Sequence, residues 1–367
     1  MRLTRPLLPN LSSYVLKLEE IWKSGWMTNG GKQNSDLVEV LRTRLRCANV
    51  ATFNNGTTAL LLALRALRLR GEVVTTPFTF PATTHAIDWA GLTPVFADID
   101  ARTGCLDPAA VEAAVTKDTS AILAVHVFGI PCDVEALGAI AKKHGLKLIY
   151  DAAHAFGVEV GGRAIGSYGD ISMFSLHATK LFHTAEGGAL TFRDASLAKD
   201  LHLLHNFGIA DEDHVAMSGI NGKMNELQAA LGLCVMEVLD EEYAKRATVV
   251  KRYRDQLRNV PGVECMLPGP GVRPSMQYMP VRIGPESHSD RDAMFNGMRQ
   301  QNIMSRRYFR PLCSSIEPYA HLPSAAPQGL PNAVGLEKEI LCLPLHGGLK
   351  DEDVDRVCEV LVAGSAK

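Results

Sequence analysis

Between residues 51 and 192, short apolar runs alternate with helix-period patterns, and this alternation constrains the fold more than any other feature of the chain. Leu60, Ala63, Leu64 and Leu67 stand at i, i+3, i+4 and i+7, one helix face, and Gly71 stops that helix. Residues 73–76 then read as a strand, 84–90 as a helix ending at Gly91, and 94–97 as a second strand. Residues 121–127 read as a buried strand. Asp133 starts a helix that stops at Gly145, and 146–150 form the next strand. Strands alternating with helices imply βαβ units and a mostly parallel sheet covered on both faces. In such sheets ligands bind beyond the carboxyl ends of the strands.

After Phe192 the pattern changes. Residues 225–243 form a long helical pattern that 244–257 continue with more charge, and 262–273 are rich in Pro and Gly. A length of 367 residues exceeds what one core usually holds, so two domains are expected. The reading is an α/β domain over 1–245, with an N-terminal arm, and a smaller α+β domain over 246–367. With 46% hydrophobic and 21% charged residues the chain can bury a large core. A net charge of −2 shows no basic excess, which argues against nucleic acid or a membrane surface as partner. An anionic ligand must then be held by local groups. The eight cysteines are scattered and never form C-x-x-C, so neither zinc-ligand spacing nor a compact disulfide framework is expected, and no metal is. A reduced, cytoplasmic setting is the simplest reading. The first ten residues carry no long apolar run, so no signal peptide is expected.

Three segments carry candidate chemistry. Asn54-Asn55-Gly56-Thr57-Thr58 opens the Leu60 helix. Free N–H groups and the helix dipole make such a start an anion site, although Asn or Thr there also serves as an ordinary N-cap. Asp151 closes an apolar strand in Leu148-Ile149-Tyr150-Asp151, at the binding edge of the sheet. There a carboxylate can hold a protonated ring nitrogen or cap the following helix. Lys180 follows Phe174-Ser175-Leu176-His177-Ala178-Thr179 and precedes Glu186-Gly187-Gly188. Most lysines are solvated, but this one has apolar or small flanks, and the glycines allow close backbone approach. A buried lysine loses its proton more easily and becomes a nucleophile toward carbonyls. Phosphate cradle, carboxylate and lysine, in that order, suit one cofactor, pyridoxal 5'-phosphate (PLP).

The ordered set also resembles a known family. Besides these segments, Arg5-Pro6-Leu7-Leu8-Pro9, Phe78-Thr79-Phe80-Pro81, Asp151-Ala152-Ala153-His154, Asn221-Gly222-Lys223-Met224-Asn225-Glu226 and Leu343-Pro344-Leu345-His346 are similar to the DegT/DnrJ/EryC1/StrS sugar aminotransferases. The resemblance covers essentially the whole chain and implies the fold type I PLP-dependent transferase architecture. It implies that Lys180 carries PLP as a Schiff base and then serves as general base and acid. By the same resemblance Gly56, Thr57, Thr58 and Ser175 hold the phosphate, Phe80 stacks on the pyridine, Asp151 pairs with its nitrogen, and His154 lies near its phenolic oxygen. Lys223 matches a position that reaches the phosphate of the neighbouring subunit, which implies a homodimer with shared sites. Phe80 also reads as a core aromatic and Lys223 as a solvated loop lysine.

The implied substrates are glutamate as amino donor and a keto sugar on a nucleotide diphosphate. The wording of the lysine motif and of residues 219–226 is closer to members that aminate a 4-keto-6-deoxy hexose at the 4-position than to those that aminate a 3-keto sugar. Arg306, Arg307 and Arg310, beside Tyr308 and Phe309, are candidates for the diphosphate or a solvated basic patch. A non-catalytic regulator of the same fold is the alternative from another class, and an intact Lys180, Asp151 and cradle weigh against it.

Overall fold

The computed structural model describes residues 1–366. Two helices come first, α1 (Leu11–Ser24) and α2 (Lys32–Leu45). The Asn10 side chain caps the start of α1, and Gly25, with φ at 68°, ends it. The predicted alternation follows as β1 (Val50–Phe53), α3 (Gly56–Ala66), β2 (Glu72–Thr75), α4 (Pro81–Trp89), β3 (Thr93–Phe96), α5 (Pro108–Ala114), β4 (Thr119–Val125), α6 (Val134–His144) and β5 (Lys147–Asp151). A short hairpin of β6 (Glu159–Val160) and β7 (Arg163–Ala164) precedes β8 (Ile171–Ser175), β9 (Gly188–Phe192) and α7 (Leu197–His205).

Seven of these strands form one sheet in the order β1-β9-β8-β5-β4-β2-β3. The central pairs are parallel, and β9 runs opposite to both its neighbours. Strand period decides the layers. Val73, Leu123 and Ile149 face the α3 side with Leu60 and Leu64. Val74, Ile122, Leu148 and Tyr150 face the opposite core. Both faces of β4 are buried, hence its continuous apolar run.

α8 (Glu226–Leu257) is a single helix of 32 residues, opened by a capping box of Asn225 and Gln228. The expected boundary at residue 245 therefore falls inside an unbroken helix. Its first half packs on α1 and α2. Its second half enters a separate core with Val249, Val250, Tyr253 and Leu257. That core lies on an antiparallel sheet, β10 (Val263–Cys265), β12 (Met279–Ile283) and β13 (Ile340–Leu343), with α9 (Arg291–Gln300) and α11 (Asp351–Ser365). β11 (Val272–Arg273) pairs with β6 and so ties the C-terminal region to the large sheet's hairpin. α10 (Pro331–Glu339) offers its first N–H groups, Asn332 and Ala333, to the Asp98 carboxylate at 3.0 and 2.9 Å. Among the described residues all eight cysteines are free, and no helix is long and apolar enough to cross a membrane.

Candidate active site

The carboxyl ends of β5 and β8 and the start of α3 open onto a cleft of about 300 Å³. A parallel sheet makes this edge the place where strand ends and helix N-termini converge.

Asp151, the last residue of β5, is buried at the cleft floor. Its carboxylate accepts from the Thr83 hydroxyl at 2.8 Å and from the Ala153 N–H at 3.0 Å. Burial pushes its pKa above the usual carboxylate range, and these two donors and the Lys180 charge pull the other way. A buried acid so placed gains most from a cation bound beside it.

Lys180 stands in the loop between β8 and β9 and lines the same cleft. Burial pulls its pKa down to about 8, opposed by the Asp151 charge. Its Nζ donates to the Tyr278 hydroxyl at 3.4 Å. The loop is held close by glycine, as its sequence suggests. A Cβ on Gly188 would lie 2.4 Å from the Asn55 carbonyl oxygen, so only glycine lets this strand pass the α3 start.

At that start the Asn55 side chain accepts from the Thr58 N–H at 2.8 Å. The cap and the anion site are thus not alternatives. Asn55 takes one N–H of the first turn, while Gly56 and Thr57 face the cleft with Ser175. Phe80, just before α4, forms the opposite wall and is 58% exposed, not a core aromatic. His154 is buried, and burial drives its pKa well below 6.5, so it is neutral. Its Nδ1 accepts from the Phe128 N–H at 3.3 Å, which leaves the hydrogen on Nε2 as a donor. Its ring stacks on Phe309 at 5.7 Å.

Three expected residues are not part of this wall. The Thr58 methyl is turned toward Gly222. Lys223 lies with its ammonium 4.9 Å over the Phe207 ring. Arg307 is the clearest departure. Its guanidinium pairs with Asp292 at 2.9 Å and lies over Phe295, and Arg310 reaches the same carboxylate at 3.6 Å. Asp292 compensates the charges that were candidates for a diphosphate, whereas Tyr308 and Phe309 between them do line the cleft. Thr83 and Tyr278 were not singled out from sequence. Thr83 lies inside a quoted motif but has no signature of its own. Tyr278 is 98 residues from Lys180 in a segment without a motif.

The model of the DegT/DnrJ/EryC1/StrS aminotransferase family matches residues 12–362. This chain belongs to that family. It is 41% identical over 360 residues to the dTDP-4-amino-4,6-dideoxy-D-glucose transaminase of Escherichia coli, covering 98% of this chain and 97% of that one. It is 38% identical to the enzyme of the same name from Shigella dysenteriae, again over 98% and 97% of the two chains. The crystal structure of DesI in the presence of its TDP-sugar product superposes with a TM-score of 0.93 at 36% identity, over 99% of this chain and 92% of that one. As a DegT/DnrJ/EryC1/StrS member the chain is an aminotransferase with the fold of the PLP-dependent enzymes, and the resemblance read from its motifs holds across the whole length.

Proposed function

We propose that the enzyme transfers an amino group from glutamate to a nucleotide-linked 4-keto-6-deoxy hexose, giving a 4-amino-4,6-dideoxy sugar, with PLP as cofactor. The observation that carries this reading is the convergence of Lys180, Asp151 and the α3 start on one cleft. These residues fit PLP. The buried Asp151 carboxylate suits a protonated ring nitrogen, the first turn of α3 with Ser175 suits a phosphate, and Lys180 is close to losing its proton. Bound there, PLP supplies an electron sink that acidifies the carbon–hydrogen bond next to the substrate nitrogen.

The chain's own residues do the rest. Lys180 holds the cofactor covalently through Nζ and, once released, takes a proton at the substrate carbon and returns it at the cofactor carbon. Asp151 keeps the proton on the ring nitrogen. Nε2–H of His154 is the donor available near the cofactor's phenolic oxygen. Phe80 covers the ring face, with Gly56, Thr57 and Ser175 at the phosphate.

The sugar rests on the names of the two transaminases at 41% and 38% identity, both 4-amino-4,6-dideoxy-D-glucose enzymes. Tyr308 and Phe309, not Arg307, form the protein wall that meets it. A homodimer is part of the proposal, with Lys223 reaching the partner's phosphate. Its support is an apolar surface that a second copy would cover: Leu11, Val15, Leu16, Trp22 and Trp26 along α1, and Phe207, Ile209, Val215 and Ile220 near Lys223. A cytoplasmic setting suits the free thiols.

The test supplies 4-keto and 3-keto isomers of a nucleotide-linked 6-deoxy hexose with glutamate and PLP, then locates the amine by NMR. A displacement of about an ångström costs on the order of a hundredfold in rate, so one isomer should dominate. An amine at the 3-position would overturn the regiochemistry, and no amine from either isomer would overturn the substrate class.

A further inference from the structure

The catalytic lysine has a neighbour that no motif announces. Residues 277 and 278, just before β12, reach across from the C-terminal region and grip the Lys180 loop on both sides. The Gln277 side chain accepts from the Leu181 N–H and donates to the Thr179 carbonyl at 3.0 Å, so its amide brackets Lys180 in the chain. The Tyr278 hydroxyl then meets Lys180 Nζ itself at 3.4 Å. Tyr278 is held in turn by Phe128, His154 and Tyr308, whose rings meet it edge-on at 5.7, 4.9 and 6.0 Å. A side chain clamped on three sides, with its one polar atom at the reactive nitrogen, is placed as machinery rather than as filler.

We propose that Tyr278 is a positioning residue that holds the free Lys180 amine in both of its protonation states while the lysine carries a proton between carbons. The inference rests on the aminotransferase reading of this site. A phenol hydroxyl is both donor and acceptor. It accepts from the ammonium and donates to the lone pair of the neutral amine, whereas an amide or a second cation can serve only one of these states. A base that gains and loses a proton in every turnover needs such a partner if it is not to swing away between the two transfers. Hydrogen bonds to a charged group are the stronger ones, so the hydroxyl favours the ammonium over the amine. The other titratable groups facing this pair are Asp151 at the end of β5, His154 after it, His177 and Glu186 at the cleft mouth, Tyr308 beside Tyr278 and Cys342 in β13. None of them makes a hydrogen bond to Lys180 Nζ among the described residues.

The test uses the full chain stripped of cofactor, with an amine-reactive acylating reagent. Mass spectrometry of the Lys180 peptide gives labelling as a function of pH. In the parent protein the labelling midpoint lies near 8. In Tyr278→Phe, nearly the same in shape, it falls by about half a unit to one unit, because the ammonium loses more than the amine does. With cofactor and substrates, kcat of the same variant falls about tenfold to a hundredfold, the acid limb of its pH profile moves down in step, and KM for the amino donor changes little. Gln277→Glu, which keeps one acceptor but loses the amide donor to Thr179, separates loop placement from the hydroxyl. It lowers kcat without moving the midpoint downward. An unchanged midpoint in Tyr278→Phe, with or without a fall in kcat, overturns the proposal. The aminotransferase reading fails separately, through Lys180→Ala turning over.

Discussion

Lys180 in the cleft and Arg246 in the middle of α8 are both cations drawn out of bulk water, and their surroundings are opposite. Arg246 is 0% exposed, and its Nε donates to the Glu242 carboxylate one turn earlier at 2.7 Å. The same oxygen accepts the Gly347 N–H at 2.9 Å, which joins α8 to the segment after β13. Burial lowers the Arg246 pKa and Glu242 raises it, but a guanidinium starts so high that it stays charged. Lys180 has no such carboxylate partner among the described residues. It faces a hydroxyl and a cleft, and it comes down to about 8. The difference teaches how one fold separates a structural cation from a reactive one. Arginine with a contacting carboxylate makes a fixed joint, while lysine with its carboxylate kept at a distance makes an amine ready to give up its proton.

The comparison breaks most directly at Lys180. Lys180→Ala should lower turnover at least about ten-thousandfold, while PLP is still retained through the phosphate cradle and remains visible in the absorption spectrum after dialysis. More than a hundredth of parental turnover, without added amine, would remove Lys180 from the centre of the chemistry. Arg246→Ala should act on stability instead. It leaves Glu242 buried without its cation and should cost about 3–5 kcal/mol in urea unfolding. A loss below about 1 kcal/mol would mean the joint is not structural.

Lys180→Met sharpens the contrast because its sign is reversed. The folded lysine titrates near 8 and the unfolded one near 10.5, so the unfolded chain binds more protons between those values. The parent's stability relative to the Met variant therefore rises with pH across that window. The variant without cofactor should be the more stable by about 2 kcal/mol below pH 8, allowing for solvent in the cleft, and should lose that advantage above pH 10.5. Equal stability at pH 7 would show that Lys180 is not under strain from burial. The smallest effect belongs to Thr83→Val. Removing the hydroxyl on Asp151 should weaken PLP binding about fivefold, for a net hydrogen bond of about 1 kcal/mol. Fluorescence titration with PLP reads it, and an unaltered affinity would separate Asp151 from the cofactor.

The sequence by itself determined the layered α/β frame. Its signals are local: period-2 and period-3.6 patterns, a cap at Asn55, a stop at Gly145. Asp151 and Lys180 were legible for the same reason, since each closes or follows an apolar strand whose end must lie at the binding edge. The two-domain division was legible only in outline. Helical periodicity continues through residue 245, so the change of core along α8 leaves no mark in the chain. What tertiary structure decided was which distant residues face one another. Arg307 and Tyr308 are adjacent in sequence, yet one is drawn to Asp292 on α9 and the other lines the cleft. Thr83 reaches Asp151, and Tyr278 reaches Lys180, across gaps of 68 and 98 residues. Contacts of that separation depend on how the two cores dock, and docking depends on the sum of many side-chain fits. No local pattern records that sum.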